Sequence, residues 1–416
     1  AFCRQPSNRG RKCALTKKLL DLDSYVKSCT ATVLSCEEDK KNGFAGFAVE
    51  LSETCFFPEG GGQPADVGTL RCGEQTANVL YTYEQGEQIF HLCDRPLPVG
   101  ETAEGQIDFE KRFANMQIHS GEHILSGVIF SELKLHNVGF HMGHEVNTID
   151  LDGELSPATA RQIEEKVNRI LYENRPVFVG YPDAEMLQKL PLRKKPEVEH
   201  LRVVEVQDCD WCGCCGTHVA RTGEIGLFKI TDTQRYKGGT RISFLCGAAA
   251  LRFVADRCQE IKSVCAALSC KPQEALGNVE KLKAELAEKK QALTAKNRQL
   301  FSLLAKDLAA KAEPFGSDRL IFVTDDTLSA DELKTFAAQI AAHPQTVGAL
   351  FRSQNGVTSY ALCRSADAAC DLRGLCQSLN KALNGKGGGN QELCCGKLPD
   401  CTGEPLRQTI LSFVQQ

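Results

Sequence analysis

Two histidines stand four apart in His119–Ser120–Gly121–Glu122–His123. On a helix, residues i and i+4 share a face, so both imidazoles can point at one ion. The order is not H-E-x-x-H, because Glu122 directly precedes the second histidine, and a zincin-type protease is not indicated. Further along, Cys214–Cys215–Gly216–Thr217–His218 offers a thiolate and an imidazole four apart in a tight glycine-containing segment. Zinc favours four nitrogen and sulfur ligands in a tetrahedron. The expected metal set is therefore His119, His123, Cys214 and His218, with Zn2+ as the cofactor. A zinc ribbon built from Cys209, Cys212, Cys214 and Cys215 is the competing set. It would leave both helix histidines unexplained and crowd its ligands into one short segment. A redox role for Cys209–Asp210–Trp211–Cys212 lacks a thioredoxin-like strand–helix context. Glu122, one residue from a ligand, is the candidate catalytic group, for a proton or an amino-group contact; a helix-surface salt bridge is the alternative. His141 and His144 either join the same pocket or are ordinary surface or hydrogen-bonded histidines.

A third segment, Phe56–Phe57–Pro58–Glu59–Gly60–Gly61–Gly62–Gln63–Pro64–Ala65–Asp66–Val67–Gly68, carries consecutive glycines. Glycine permits positive φ and close backbone approach. Gly60, Gly61, Gly62 and Gln63 are the candidate substrate-binding residues, lining a slot for a flat nucleotide end or for phosphates. The alternative is a wide β-turn.

The elements that must hold these groups give an α+β fold. Residues 16–105 read as a β-barrel-like N-terminal domain, with short runs at Ala31–Ser35, Phe44–Leu51, Thr69–Cys72 and Gln88–Leu92 bounded by turn residues. Residues 106–254 read as an α/β zinc-containing domain. A helix over Arg112–Leu133 follows from the spacing of Phe113, Met116, Ile124, Leu125 and Ile129. Ser156–Pro157 opens a second helix with Ser as N-cap and Pro in the first turn. Strands are expected at Val146–Leu151, Val177–Tyr181, Leu201–Val206, Glu224–Thr231 and Arg241–Cys246. Residues 255–312 form a helical or coiled-coil linker. Val279, Leu282, Leu286, Leu293, Leu300 and Leu303 fall near a heptad seam that Lys289 and Lys296 interrupt. Residues 313–416 form a small C-terminal α/β domain. Strands are expected at Leu320–Thr324, Thr346–Phe351 and Val357–Cys363, helices at Ser329–Ala342 and Ala366–Leu383, and the glycine-rich Gly385–Gly389 at its end.

Bulk composition narrows the class. The 416 residues allow several domains, and 42% hydrophobic with 25% charged residues is ordinary for a globular protein. A net charge of -4 excludes an overall basic coat but leaves room for a local basic patch on nucleic acid. No apolar run is long enough to span a membrane. Ala1–Lys12 is basic and polar without the apolar core of a signal peptide, and has no expected role in the fold. The 21 cysteines, scattered singly among apolar residues (Cys246, Cys258, Cys265, Cys363, Cys370, Cys376), fit buried thiols in a reduced cytoplasm.

Taken together, the Phe56–Gly68 loop, the His119/His123 pair, the Cys214–His218 segment and Arg221–Thr222–Gly223–Glu224–Ile225–Gly226 resemble the editing domain of alanyl-tRNA synthetase, in the same order and at comparable separations. The free-standing form of that domain is the AlaX family of alanyl-tRNA editing proteins, and the long AlaX form matches the domain order. The editing domain of threonyl-tRNA synthetase is more distantly similar. Gly387–Gly388–Gly389 with Cys395–Gly396 is similar to the glycine-rich end of the DHH-associated domain that closes alanyl-tRNA synthetases. The likeness is strong over residues 16–250 and weak over 313–416. It implies zinc on His119, His123, Cys214 and His218. It further implies the acceptor end of tRNA(Ala) as partner, and hydrolysis of Ser-tRNA(Ala), with Gly-tRNA(Ala) next. Where synthetases usually place Thr before the second histidine, this chain has Glu122, and a Gln common after the helix is missing around Gly139, Phe140 and His141. No Walker loop and no Asp-His-His triplet occurs, so the expectation is an editor without a synthetase, cytoplasmic, with a homodimer forming through the linker or the C-terminal domain. Two other classes remain: a non-catalytic tRNA-binding module with structural zinc, and a zinc hydrolase of small esters.

Overall fold

Along Ser28–Lys41 (β1), Cys29, Ala31 and Val33 are buried between exposed Ser28, Thr30 and Thr32. A strand that alternates so strictly turns one face to a core. β1 pairs with Phe44–Leu51 (β2), and four further strands complete the set: Gly68–Cys72 (β3), Gln75–Gln85 (β4), Gln88–Cys93 (β5) and Thr102–Ile107 (β6). Their order β1-β2-β5-β4-β3-β6 closes into a barrel. Closure removes the exposed strand edges that an open sheet must protect. The inward residues, among them Val49, Leu51, Phe56, Leu70, Ala77 and Ala103, form one apolar cluster. A computed structural model describes residues 16–21, 23–143, 146–193, 201–399, 401 and 403–413. Residues 1–15 and His144 lie outside that set.

The barrel core also holds a polar group, His91, with no exposed surface. Its Nδ1 lies 3.0 Å from Val49 O and its Nε2 2.7 Å from Thr54 Oγ1. A neutral ring satisfies both contacts, donating to the carbonyl and accepting from the hydroxyl. Burial pushes its pKa down to about 4, against the carbonyl contact that favours the charged form. A histidine starts near 6.5 in the unfolded chain, so the unfolded state binds the extra proton between those values. Stability is then intact above about pH 6.5 and falls toward pH 4, by about 1.4 kcal/mol per pH unit for one fully linked site. Urea melts of the parent and of His91→Gln across pH 7 to 4 should differ in slope over that window; parallel curves would exclude His91 as the titrating group.

The first long helix, Phe109–Leu133 (α1), starts on Asp108, whose carboxylate accepts from the Lys111 amide at 3.1 Å. It begins a turn earlier than the apolar spacing suggests. From Asn115 to Ile129 it is buried on nearly all sides, packed in a cluster with Ile149, Leu151, Ile163, Val167, Phe228 and Phe244. Asn137–Met142 (β7) and Asn147–Leu151 (β8) follow, then Pro157–Tyr172 (α2) with Ser156 as N-cap, as expected from Ser-Pro. Val177–Gly180 (β9), the short helix Ala184–Lys189 (α3), Val203–Val206 (β10) and Asp210–Gly213 (β11) come next, and β9-β10-β11 make an antiparallel sheet. Phe228–Tyr236 (β12) and Gly239–Cys246 (β13) complete a four-stranded sheet of order β12-β13-β8-β7. The strand expected from Glu224 begins only at Phe228. Glu224 is instead in a 3-10 turn, Thr222–Ile225. Its carboxylate accepts from the Arg221 amide at 2.9 Å and from Tyr25 Oη at 2.6 Å, which holds the backbone out of an extended form.

The fold as a whole is mixed α+β, and its contacts separate residues up to Ser263 from residues from Val264 onward. Gly247–Leu268 (α4) spans that division, and Ala275–Ala310 (α5) follows it. The second unit adds a six-stranded sheet of order β14-β15-β16-β17-β19-β18, from Glu313–Phe315 (β14), Asp318–Thr324 (β15), Thr346–Gln354 (β16), Val357–Arg364 (β17), Lys386–Gly389 (β18) and Leu393–Pro399 (β19). Its helices are Ala330–Ile340 (α6), Leu372–Ala382 (α7) and Glu404–Ser412 (α8). The helix expected from Ala366 starts at Leu372. Asp318 accepts from the amides of Ala369 and Cys370 at 3.0 and 2.8 Å, which fixes that stretch as a loop. The glycine run does not end the domain: β18 is an edge strand paired with β19, and α8 follows. Among the described residues no helix is long and apolar enough to cross a membrane.

Candidate metal centre

His119, His123, Cys214 and His218 converge. One potential ligand atom from each lies within 4.8 Å of all the others. Helix α1 carries the first two, one turn apart. The loop leaving β11 carries the other two. Arg202 shapes that loop: its Nη1 donates to Cys214 O and Gly216 O, each at 2.8 Å, and its Nε to Asp21 O at 2.8 Å. Gly216 lets the loop approach the helix, since a Cβ there would sit 2.1 Å from His119 Cε1. Cys214 Sγ is 3.4 Å from both His119 Nε2 and His218 Nε2.

Each histidine turns its other nitrogen, Nδ1, outward to a different partner. His119 Nδ1 donates to Gln63 Oε1 at 2.9 Å. That oxygen also accepts from the Thr217 amide at 3.0 Å, so its acceptor role is fixed. His218 Nδ1 is 3.1 Å from Ser120 Oγ. His123 Nδ1 is 3.1 Å from Asp210 Oδ2, in ionic contact though not aligned as a hydrogen bond. A histidine bound at the outer face through Nδ1 keeps Nε2 free for a metal.

The charges agree. Burial alone would raise the Cys214 thiol, but the neighbouring imidazoles outweigh it and hold its pKa well below the ordinary value. Burial pushes His218 down to about 3 and so keeps it neutral, despite the attraction of Cys214. Burial also opposes charge on His123, but Asp210 and Cys214 outweigh it and hold that ring well above the usual value. A thiolate and three imidazoles in one dry cluster suit a borderline-soft ion such as zinc. A second grouping, His123, Asp210 and Cys212, is also close-set. It is poorly suited to a metal. Arg193 already grips both oxygens of Asp210, at 2.8 and 3.2 Å, and burial raises the Cys212 thiol.

The glycine-rich segment folds as a tight turn beside the centre. Gly60 and Gln63 exchange backbone hydrogen bonds at 3.1 and 3.0 Å across Gly61 and Gly62, whose φ values are +59° and +82°. This is the two-residue turn that needs positive φ at both central positions. Gln63 at its end is fully buried, and its Nε2 donates to Thr217 Oγ1 at 2.8 Å. Its side-chain amide thus bonds both His119 and Thr217. Gly60, Gly61 and Gly62 remain at the surface of the same turn. Met142 donates to Gly62 O at 3.3 Å, and the Phe140 ring lies 5.4 Å from that of His119.

Glu122 is buried rather than on a helix surface. Its Oε1 accepts from Ser126 Oγ at 2.5 Å and Asn137 Nδ2 at 2.7 Å, and its Oε2 lies 4.0 Å from His123 Nε2. The pairing of β7 with β8 slips by one residue at Val138, so Asn137 and Phe140 both turn toward α1. His141 is exposed on β7 and away from the cluster. Cys209, Cys212 and Cys215 do not gather with Cys214: Cys209 contacts Ile124 O, Cys212 is buried beside Asp210, and Cys215 is exposed near Gly61. Sequence reasoning missed Asp210, Arg193, Arg202, Asn137 and the task of Gln63. Asp210 stood inside the quoted Cys209–Cys212 segment and Gln63 inside the glycine-rich one, but nothing in their spacing pointed to His123 or His119.

Residues 201–243 match the family described as the threonyl and alanyl tRNA synthetase second additional domain. The alanyl-tRNA editing protein Aarsd1 of Mus musculus is 32% identical over 284 residues, 64% of this chain and 67% of that protein. The Bos taurus protein of the same name is 32% identical over 277 residues, 62% of this chain and 61% of its own length. The alanine–tRNA ligase of Thermococcus kodakarensis is 28% identical over 398 residues, which is 92% of this chain but 42% of the ligase. The chain thus spans about three fifths to two thirds of the editing proteins it matches.

Proposed function

The chain belongs to the family of alanyl-tRNA editing proteins, and from that premise we propose that it is a trans-editing hydrolase, removing serine, and glycine to a lesser extent, from wrongly charged tRNA(Ala). The observation that carries the reading is the convergence of His119, His123, Cys214 and His218 with a carboxylate, Glu122, at their side. The donor set fits zinc, and when bound there zinc supplies Lewis acidity that polarises an adjacent oxygen. The remaining work falls to the chain. Ser126 and Asn137 engage one oxygen of Glu122, leaving the other directed toward the centre, where it holds the attacking water or the amino group of the aminoacyl ester. Gln63 and Ser120 hold His119 and His218. Gly60–Gly62 line the entry for the terminal adenosine. A site that bonds the serine hydroxyl rejects alanine, because alanine leaves that polar partner unpaired, whereas glycine is separated from alanine only by size. The partner is the acceptor end of tRNA(Ala), and the residues from Val264 onward supply further tRNA contacts or a homodimer contact.

One observation favours a second reading. Four protein donors already converge, while a catalytic zinc normally keeps one position open. That fits a tRNA-binding module with structural zinc. The deciding measurement is release of radiolabelled amino acid from Ser-, Gly- and Ala-charged tRNA(Ala). The expected result is serine release at least about tenfold faster than alanine. Glu122→Gln should retain zinc and lose about 100-fold in rate, the scale of one positioned acid–base group. His123→Ala serves as the inactive control. Release from none of the three, or equal rates for parent and His123→Ala, would favour the binding module.

A further inference from the structure

The three imidazoles of the centre are not held alike. Gln63 offers His119 a neutral amide oxygen, Ser120 offers His218 a hydroxyl, and Asp210 offers His123 a carboxylate. Building on the zinc reading above, we propose that Asp210 and Arg193 form a buried positioning pair that sets how tightly the centre holds zinc, acting through Nδ1 of His123.

The geometry supports this from three sides. His123 Nδ1 is buried without an aligned hydrogen bond, and the Asp210 carboxylate lies in ionic contact with it at 3.1 Å. The Asp210 carboxylate is itself 2% exposed and gripped at both oxygens by Arg193, 6% exposed. Both members are fixed by backbone. Asp210 pairs with Val206 at the start of β11, and the Arg193 amide donates to Trp211 O at 2.9 Å. A carboxylate behind a ligating histidine fixes its tautomer and ring plane and makes its other nitrogen a stronger donor to the metal. Arg193 keeps that carboxylate charged in a dry place, where an unpaired one would be costly. Neither residue touches the centre, so each acts only through His123. Arg193 lies in the segment after α3 and Asp210 on β11, so the pair also ties two separate segments to the metal ligand.

The test uses the full chain and zinc alone, without tRNA. Asp210→Asn keeps the shape and removes the charge. Competition with a chromophoric chelator should show zinc affinity reduced about 10- to 100-fold, the usual scale for such outer partners. Gln63→Ala and Ser120→Ala, which remove neutral partners, should lose less. Cobalt in place of zinc should show an altered ligand-field spectrum in Asp210→Asn at full occupancy, which a change in fold stability alone would not produce. A second measurement needs no Asp210 variant. In 15N-histidine-labelled, zinc-loaded protein, the Nδ1 protons of His119 and His218 are identified by their shifts in Gln63→Ala and Ser120→Ala. The remaining ligand proton, that of His123, should lie furthest downfield. Affinity in Asp210→Asn within about threefold of the parent, or a His123 proton upfield of the other two, overturns the proposal. Neither result bears on deacylation, so this inference and the editing reading fail separately.

Discussion

The double variant His119→Ala/Cys214→Ala will purify with almost no zinc, against about one ion per chain in the parent. Half of the tetrahedral donors are gone, one from each of the two segments that meet at the centre. Cys214 is also the sulfur donor of the set, with its pKa held well below the ordinary value. The remaining His123 and His218 make a two-point site that cannot compete with water and buffer. If the editing reading holds, Ser-tRNA(Ala) hydrolysis falls by at least about 1,000-fold, because the polarising charge that such a site supplies is lost. Metal analysis and the radiolabel assay on the same preparation read both effects. Full zinc retention in the double variant would remove these four residues as the site.

The largest expected stability effect lies behind the glycine turn. Arg112 on α1 has no exposed surface. Its Nε donates to Asp66 Oδ2 at 2.8 Å, its Nη1 to Ser24 O at 3.0 Å and its Nη2 to Cys55 O at 2.7 Å, and its Nη2 also contacts Asp66. Asp66 in turn accepts from the Phe57 amide at 2.7 Å. One guanidinium thus ties α1, the barrel and the loop that carries Gln63. Arg112→Met leaves the buried carboxylate with the Phe57 amide but no counter-charge, and takes the guanidinium donor from two carbonyls. Breaking one side of a buried pair costs about 3–5 kcal/mol. Trp211 is the single tryptophan and lies within the first unit, so its fluorescence in urea reports that unit. Arg112→Met should lower the unfolding free energy it reports by that amount. Adding Asp66→Leu should restore part of it, since the stranded charge is gone while the bare carbonyls remain. A loss under about 1 kcal/mol in Arg112→Met would show that water reaches the pair.

Helices were the most legible part of the chain. Ser156–Pro157 announces α2 because capping is local: the side chain bonds an amide three residues on. Strands were legible where burial alternates, as in β1, and were not named at β18 and β19, which are rich in glycine or lack a run of β-branched residues. Glu224 and Ala366 were misread for one shared reason. Distant side chains, Tyr25 in the first case and Asp318 in the second, hold those backbones out of the expected element.

The candidate metal ligands were open to reading because each pair is local. His119 and His123 share a helix face by spacing alone, and Cys214 and His218 share one short loop. What the order of residues could not decide is what stands behind each ligand. Gln63 reaches His119 from a turn in the barrel domain, Asp210 reaches His123 from a strand, and Asn137 reaches Glu122 only because β7 carries a bulge. These contacts have no periodicity, since they join segments that only the packed core brings together. Burial decided the rest. The same Glu122 on an exposed helix would be an ordinary surface charge; enclosed beside His123 it is cut off from bulk solvent and takes bonds from Ser126 and Asn137.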